Sequence, residues 1–528
     1  MNGFVASGLV FTAFFVGART RADGWRSALY PSSWRPGFAS PGGHVLHDVS
    51  YAGYARGERR LPDLSDRLRL DVVGALSADN TGKTDTTIVL QTAIDTVSKE
   101  GGGIVFLPAG LYRCDGLLSV RASGLVIAGA GAGKTRLLFT RAKGMTGKRH
   151  LSFRGSVRRQ SKGECLLAED GRNHSSEVLV ADAGALKPGD EVAVGWVISA
   201  AFVEEHHMAK HWRVFNGKWQ PFFRRTVVAV DRLRSPHAVR LDVPLRYPAK
   251  VRDRASLRLE TGYLRECGLQ DLSVSNAVDW DAAWAGKRVH AVEMEGVKDC
   301  WVRNVHSFAS GLPGAGLFHL QSGGIYIGGS KRVTVADCRM EKAQHRGGGG
   351  CGYLFEISRC SEILTRDCVA AEGRHNFIQN WGFGTSGCVW LRCTSRKGRS
   401  LVAKWDPIGL PGHCEYHHSL AMACLVDQCR IEDGWYGGNR RNWSSGGGST
   451  VTQSVYWNTS GGGVIRSWQV GMGYIVGTTR MRVLTGMGAD SAPGTGPEDY
   501  REGVGKGATL QPQSLYEDQL RRRLERRE

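Results

Sequence analysis

The sequence has no Cys-x-x-Cys pair among its 13 cysteines, no collagen-like glycine period and, past its first residues, no apolar run long enough to span a bilayer. The first absence removes a common spacing of zinc and redox sites. The second leaves 71 glycines in 528 residues, nearly twice the usual ~7%, to be used in turns, and many tight turns in a long chain point to many short strands. The third argues against a membrane span. Acidic residues are the minority charge: 69 Lys and Arg stand against 50 Asp and Glu, a formal net charge of +19. A basic surface attracts polyanions. Apart from Arg521, Arg522, Arg523, Arg526 and Arg527 the cations are dispersed, so a nucleic-acid role would rest on charge alone, and no nucleic-acid partner is expected.

Residues 4–16 are apolar and are followed by the small residues Gly17, Ala18 and Ala22. Segment 1–22 reads as a signal peptide, which makes the chain secreted or periplasmic. Residues 23–65, rich in Trp, Tyr, Pro and Gly, read as an irregular extension packed on the main body.

Order begins in 66–137. Gly74 and Ala75 precede Asp79, Thr84 and Asp85; Leu90, Ala93, Ile94 and Val97 recur at helical spacing; Gly101, Gly102 and Gly103 stop that helix; a buried strand at 104–107 runs into Pro108, Gly110 and Tyr112. This run resembles the N-terminal part of the pectate-lyase-like superfamily, the group of polygalacturonases, rhamnogalacturonases and many phage tailspikes. The resemblance covers 74–112. It implies an all-β, right-handed parallel β-helix whose first coil is capped by an N-terminal helix, and it implies no particular activity. The polygalacturonase motifs Asn-Thr-Asp, Asp-Asp, Gly-His-Gly and Arg-Ile-Lys are absent, Arg430-Ile431-Glu432 being the nearest fragment, and so is the Arg-x-Pro-x-x-Arg signature of pectate lyases. No family catalytic residue carries over.

Residues 138–260 break the pattern and read as a β-rich insertion, with Trp212, Trp219, Phe222 and Phe223 on aromatic loops. Residues 128–135 fit a relaxed phosphate-binding loop, but that chemistry needs a following helix, and 136–140 reads as strand. Within 261–510 a short alternating motif ends at Asn276, Asn304, Asp337, Asp367, Arg392 and Gln428. Its spacing of 25 to 36 residues fits one β-helix coil per repeat, each coil contacting only its neighbours. The next residue is Cys338, Cys368, Cys393 and Cys429 in four repeats, a column expected to be a buried structural ladder. Asn276, Asn304, Asp337 and Asp367 are expected to stack at a turn. Residues 511–528 read as a helix capped by Ser514, with Glu517 three residues on.

A second column lies seven and eight residues beyond the repeat ends: Gln344-His345, Arg374-His375, Arg399-Ser400 and Trp435-Tyr436. If the register holds, His345 and His375 are neighbours, Arg346, Arg374 and Arg399 line the same region, and Glu372 and Asp433 sit at its edge. Lys404, Trp405, Asp406, His413, Glu415, His417 and His418 follow on a projecting loop, and Trp381 and Trp443 belong to the same coils. Aromatic faces beside charged groups suit sugar rings.

Two chemistries fit. Elimination from a uronic acid needs a base at C5, for which Arg374, His375, His345, Lys404 and Tyr436 are candidates. Hydrolysis needs two carboxylates, from Asp406 with Glu415 or Glu372 with Asp433. Substrate contacts are expected from Trp381, Trp405, Trp435, Tyr436, Arg346, Arg399, His417 and His418. No metal ligand set is assigned; calcium would suit an acidic sugar, but no calcium motif occurs. The plain alternative makes His345 and His375 turn residues bonded to backbone carbonyls, with Arg374 paired to Glu372. The reading is an exported enzyme cleaving an acidic polysaccharide, leaning to elimination because Arg and His outnumber paired carboxylates. The alternative is a non-catalytic carbohydrate-binding or adhesive β-helix.

Overall fold

The computed structural model describes residues 24–486 and 496–526; the segment read as a signal peptide lies outside them. The chain is a right-handed parallel β-helix. One face is a ten-stranded parallel sheet: Leu118–Val120, Arg149–Arg154, His290–Glu295, Gly323–Gly328, Tyr353–Ser358, His375–Gln379, Cys414–Tyr416, Gly434–Gly437, Val464–Ser467 and Arg482–Leu484. Most of the remaining coil strands join into a larger parallel sheet of 20 strands. The helix Thr87–Lys99 buries Leu90, Ala93, Ile94 and Val97 against the first coil.

Strand alternation sends one set of side chains inward. On the ten-stranded face Val292, Ile325, Phe355 and Phe377 are register partners in successive coils, and Phe355 stacks on Phe377 at 5.0 Å. Trp435 continues this inner column. It is 1% exposed, lies nearly parallel to Phe377 and meets Trp390 edge-on at 5.2 Å. Trp435, expected to bind substrate, is therefore a core residue. Its strand parity aligns it with Cys414 and Ile465 and points it away from solvent.

Each coil turns a corner through one left-handed residue. Asp271, Asn304, Asp337, Asp367, Arg392, Gln428 and Asn458 all have φ between 48° and 58°, a region Asn and Asp tolerate best. Leu269 pairs with Val302 and Leu272 with Val305, so Asp271, not Asn276, is the partner of Asn304, whose amide donates to it at 2.8 Å. Asn276 instead bonds His150 and the backbone N–H of Gln321. The expected cysteine ladder is present. Cys338, Cys368, Cys393 and Cys429 are at most 1% exposed, and each thiol donates to a carbonyl of the preceding coil, Val302, Val335, Thr365 or Trp390.

The segment between Thr135–Phe139 and Arg149–Arg154 stays within the helix, since both strands pair with coil strands. The separate sheet thus begins at Arg158–Arg159, later than the boundary at 138. Its seven strands pair antiparallel and end at Ser256–Thr261. Trp212, Phe222 and Phe223 are buried in its core, where Trp196 stacks on Phe222 at 3.6 Å; they are not solvent loops. Trp212 reaches back to the helix, its indole N–H donating to the Gly447 carbonyl at 3.1 Å. Tyr30, Trp34 and Val49 of the extension, with Leu515 and Tyr516 of the C-terminal helix, cover the outer surface of the large sheet. No helix of the described residues is long and apolar enough to cross a membrane.

Candidate active site

The outward side chains of the ten-stranded sheet converge in its middle coils. His375 begins one strand, and Glu415 lies on the next, flanked by His413 and His417. Glu415 is fully buried. Its Oε2 accepts from His417 Nδ1 at 2.6 Å and lies 3.5 Å from His375 Nε2 and 3.7 Å from His413 Nε2, while Oε1 pairs with the Arg440 guanidinium. One carboxylate thus organises three imidazoles and a guanidinium.

The ring bonds fix the tautomers. His375 Nδ1 must donate to the His413 carbonyl at 2.8 Å, so Nε2 is bare in the neutral ring. His417 donates from Nδ1 to Glu415 and accepts at Nε2 from the Ser444 hydroxyl at 3.1 Å. Burial holds both rings neutral: His417 falls to about 3, with Arg374 as the second cause, and His375 falls well below the ordinary histidine value, again with Arg374 next. His413, stacked on Tyr436 at 4.0 Å, is lowered to about 3 by burial and by Arg440.

Above this cluster lies a cavity of about 440 Å³. Its wall includes Lys287, Arg288, Arg374, Tyr353, Trp381, His417 and Ser444, and it contains no carboxylate. The cations come from two places. Lys287 and Arg288 precede the strand His290–Glu295. Arg374 precedes His375 and is tethered to the Gly347 carbonyl at 2.9 Å. Tyr353 is the register partner of His375 one coil earlier, and burial raises its hydroxyl to about 12. Trp381, 39% exposed, lies over His418 at the rim.

The structure therefore brings together Arg374, His375, Glu415, His417, His418, Trp381 and, through His413, Tyr436. It disperses the others. His345 is not the neighbour of His375, because the loop 346–352 intervenes and puts Tyr353 there; its Nδ1 bonds the Gly286 carbonyl at 2.9 Å and its ring packs on Trp284. Asp406 accepts from the backbone N–H groups of Val402, Ile408 and Gly409 and serves its own loop, so it does not pair with Glu415. Lys404 pairs with Asp281 at 2.8 Å, and Trp405 lies against Trp280 at 5.8 Å. Arg399 holds the carbonyls of Pro407 and Ile408, and Arg346 lies over Phe318. Asp433 is bound by Ser395, Asn376 and the Gly398 N–H and does not line the cavity. Five participants were not anticipated: Tyr353, Lys287, Arg288, Arg440 and Ser444. Aligning Tyr353-Leu-Phe355 with His375-Asn-Phe377 would have found the first.

His375, His413 and Glu415 could hold a metal ion, their ligand atoms lying within 4.8 Å of one another. Two imidazoles and a carboxylate suit zinc, not the oxygen shell of the calcium weighed from the sequence. Glu415 already bonds His417 and Arg440, however, so its charge is satisfied by the protein itself.

Comparison with known proteins gives a local match in sequence and broad likenesses in structure. Residues 73–174 match the family model "Rhamnogalacturonase A/epimerase, pectate lyase-like". Alginate lyase 7 of Azotobacter vinelandii is 46% identical over 65 residues, which is 11% of this chain and 8% of that protein; the match thus spans less than a tenth of the relative. Among solved structures, the tailspike protein gp49 of Pseudomonas phage LKA1 is similar with TM-score 0.35 and 15% identity over 75% of this chain and 69% of that one. PfbA, a surface adhesin of Streptococcus pneumoniae, gives 0.39 and 10% over 83% and 91%. The parallel β-helix assignment rests on the strand pairing itself. Over residues 73–174 the chain is thus similar to the pectate lyase-like rhamnogalacturonase/epimerase family.

Proposed function

We propose that this chain cleaves an acidic polysaccharide by β-elimination in the cavity over Glu415. The observation that carries the reading is the cavity wall, which holds Lys287, Arg288 and Arg374 but no Asp or Glu. Hydrolysis calls for two carboxylates flanking the bond, and this wall supplies none. Elimination calls for cations that neutralise the uronate carboxylate and so acidify the C5 proton, a base for that proton, and an acid for the leaving oxygen. His417 is neutral and oriented by Glu415, and it takes the base role once the Ser444 hydroxyl turns aside. Tyr353, kept protonated by burial, takes the acid role. Arg374 binds the carboxylate, and Trp381 offers a face for a sugar ring. The local match to a protein named as an alginate lyase agrees with this. Export as a secreted or periplasmic enzyme rests on residues 1–22 alone.

The test is product stoichiometry on a panel of acidic polysaccharides. The expected result is one unsaturated uronide, read by its ultraviolet absorbance, for every new reducing end. New reducing ends without that absorbance would replace elimination by hydrolysis.

A further inference from the structure

The same cavity holds a hydroxyl, that of Ser444, which elimination does not use. Ser444 Oγ lies 3.1 Å from His417 Nε2, and His417 Nδ1 lies 2.6 Å from Glu415 Oε2. This is a hydroxyl, an imidazole that accepts from it, and a carboxylate that fixes the imidazole's tautomer, the geometry of an activated serine nucleophile. Ser444 lines the cavity, whereas Glu415 is buried behind the histidine. Arg440 Nη2 donates to the same Oγ at 3.2 Å, which favours the developing alkoxide.

The turn that presents Ser444 is held firmly. Ser444 and Ser445 both have left-handed backbone, at φ 54° and 64°, a strain that persists only where the surroundings impose it. The inserted domain imposes it here. Trp212 bonds the Gly447 carbonyl, and any side chain at Gly446 would strike the His211 carbonyl at 2.2 Å.

We infer that Ser444, His417 and Glu415 form a hydrolytic triad that removes short O-acyl groups from an acidic sugar bound in this cavity. Oγ attacks the ester carbonyl carbon as its proton passes to His417 Nε2. The tetrahedral intermediate collapses, the C–O bond to the sugar breaks, and the sugar oxygen takes the proton from Nε2. Water then gives a proton to Nε2 and attacks the acyl-serine, releasing the carboxylic acid and returning the proton to Oγ. Ester and water become alcohol and acid, with no other reactant. The cations Arg374 and Lys287 line the cavity with Ser444 and select the acidic sugar. Glu415 is a positioning residue. The inference shares the cavity with the elimination reading but stands without it.

The experiment uses the full chain, a fluorophosphonate probe and p-nitrophenyl acetate, with no polysaccharide, so it succeeds or fails independently of elimination. One phosphonyl group per chain is expected on the peptide containing Ser444, absent in Ser444→Ala. Probe labelling in His417→Gln should slow at least ~100-fold, and p-nitrophenyl acetate turnover should fall to background in Ser444→Ala. Ser444→Ala removes a single oxygen on a cavity wall, and circular dichroism verifies that it folds. Wild-type labelling no faster than that of Ser444→Ala, or a label mapped to another residue, overturns the triad.

Discussion

Replacing His417 by Ala should lower kcat/KM for uronide formation by about 10² to 10⁴, the usual contribution of a positioned general base. His417 is the one imidazole of the cluster on the cavity wall. His375 and His413 contact Glu415 from behind it, so their loss acts through the position of Glu415. The same substitution removes the neutral ring between Glu415 and the substrate, leaving the carboxylate to Arg440. Because the base acts only when the proton moves, the fall should appear in kcat with KM changed far less. Initial rates by ultraviolet absorbance at several substrate concentrations check this. A variant that kept wild-type kcat would transfer the base role to another group on the wall.

Acid should destabilise the protein well above the carboxylate range. Burial lowers His413 and His417 to about 3 and His150 to about 4, and drives His375 lower than its ordinary value. Unfolded, each of these rings titrates near 6.5. Below that pH the unfolded chain therefore binds protons that the native chain refuses. The stability these groups contribute is fully present above 6.5 and drains away as pH falls towards their native values, by about 1.4 kcal/mol per pH unit for each ring. Asp427 and Asp499, raised by burial to about 7 and about 6, act in the opposite sense and offset roughly two of the rings. The net expectation is a steep fall in the urea midpoint between pH 6.5 and 5, flatter in His413→Asn. Equal midpoints at pH 7 and pH 5 would contradict neutral burial of the cluster.

The solenoid was legible because its signals are local. Leu90, Ala93, Ile94 and Val97 carry the capping helix, and Asn or Asp marks the left-handed turn at most corners, Arg392 and Gln428 being the exceptions. Register was legible only where coils are equal in length. Counting from repeat ends put His345 beside His375, but the Gly-rich loop 346–352 adds residues to one coil and delivers Tyr353 instead. The same count put Trp435 and Tyr436 on one surface, whereas alternation sends Trp435 into the core and Tyr436 onto His413. Arg440 and Ser444 were beyond sequence reading. They sit on a turn outside the repeat, and its position is set by Trp212 of the insertion, some 230 residues earlier. Solenoid sites are assembled by whatever interrupts the solenoid, and interruptions have no period to read.

The central claim is that cations on a wall without carboxylates recognise and activate a uronic acid. Its most direct test is one polymer assayed before and after reduction of its carboxyl groups to alcohols, with chain length and linkage kept. The account predicts cleavage of the acidic form and none of the neutral form. Equal cleavage of both would contradict it, because Lys287, Arg288 and Arg374 would then have no part in the reaction.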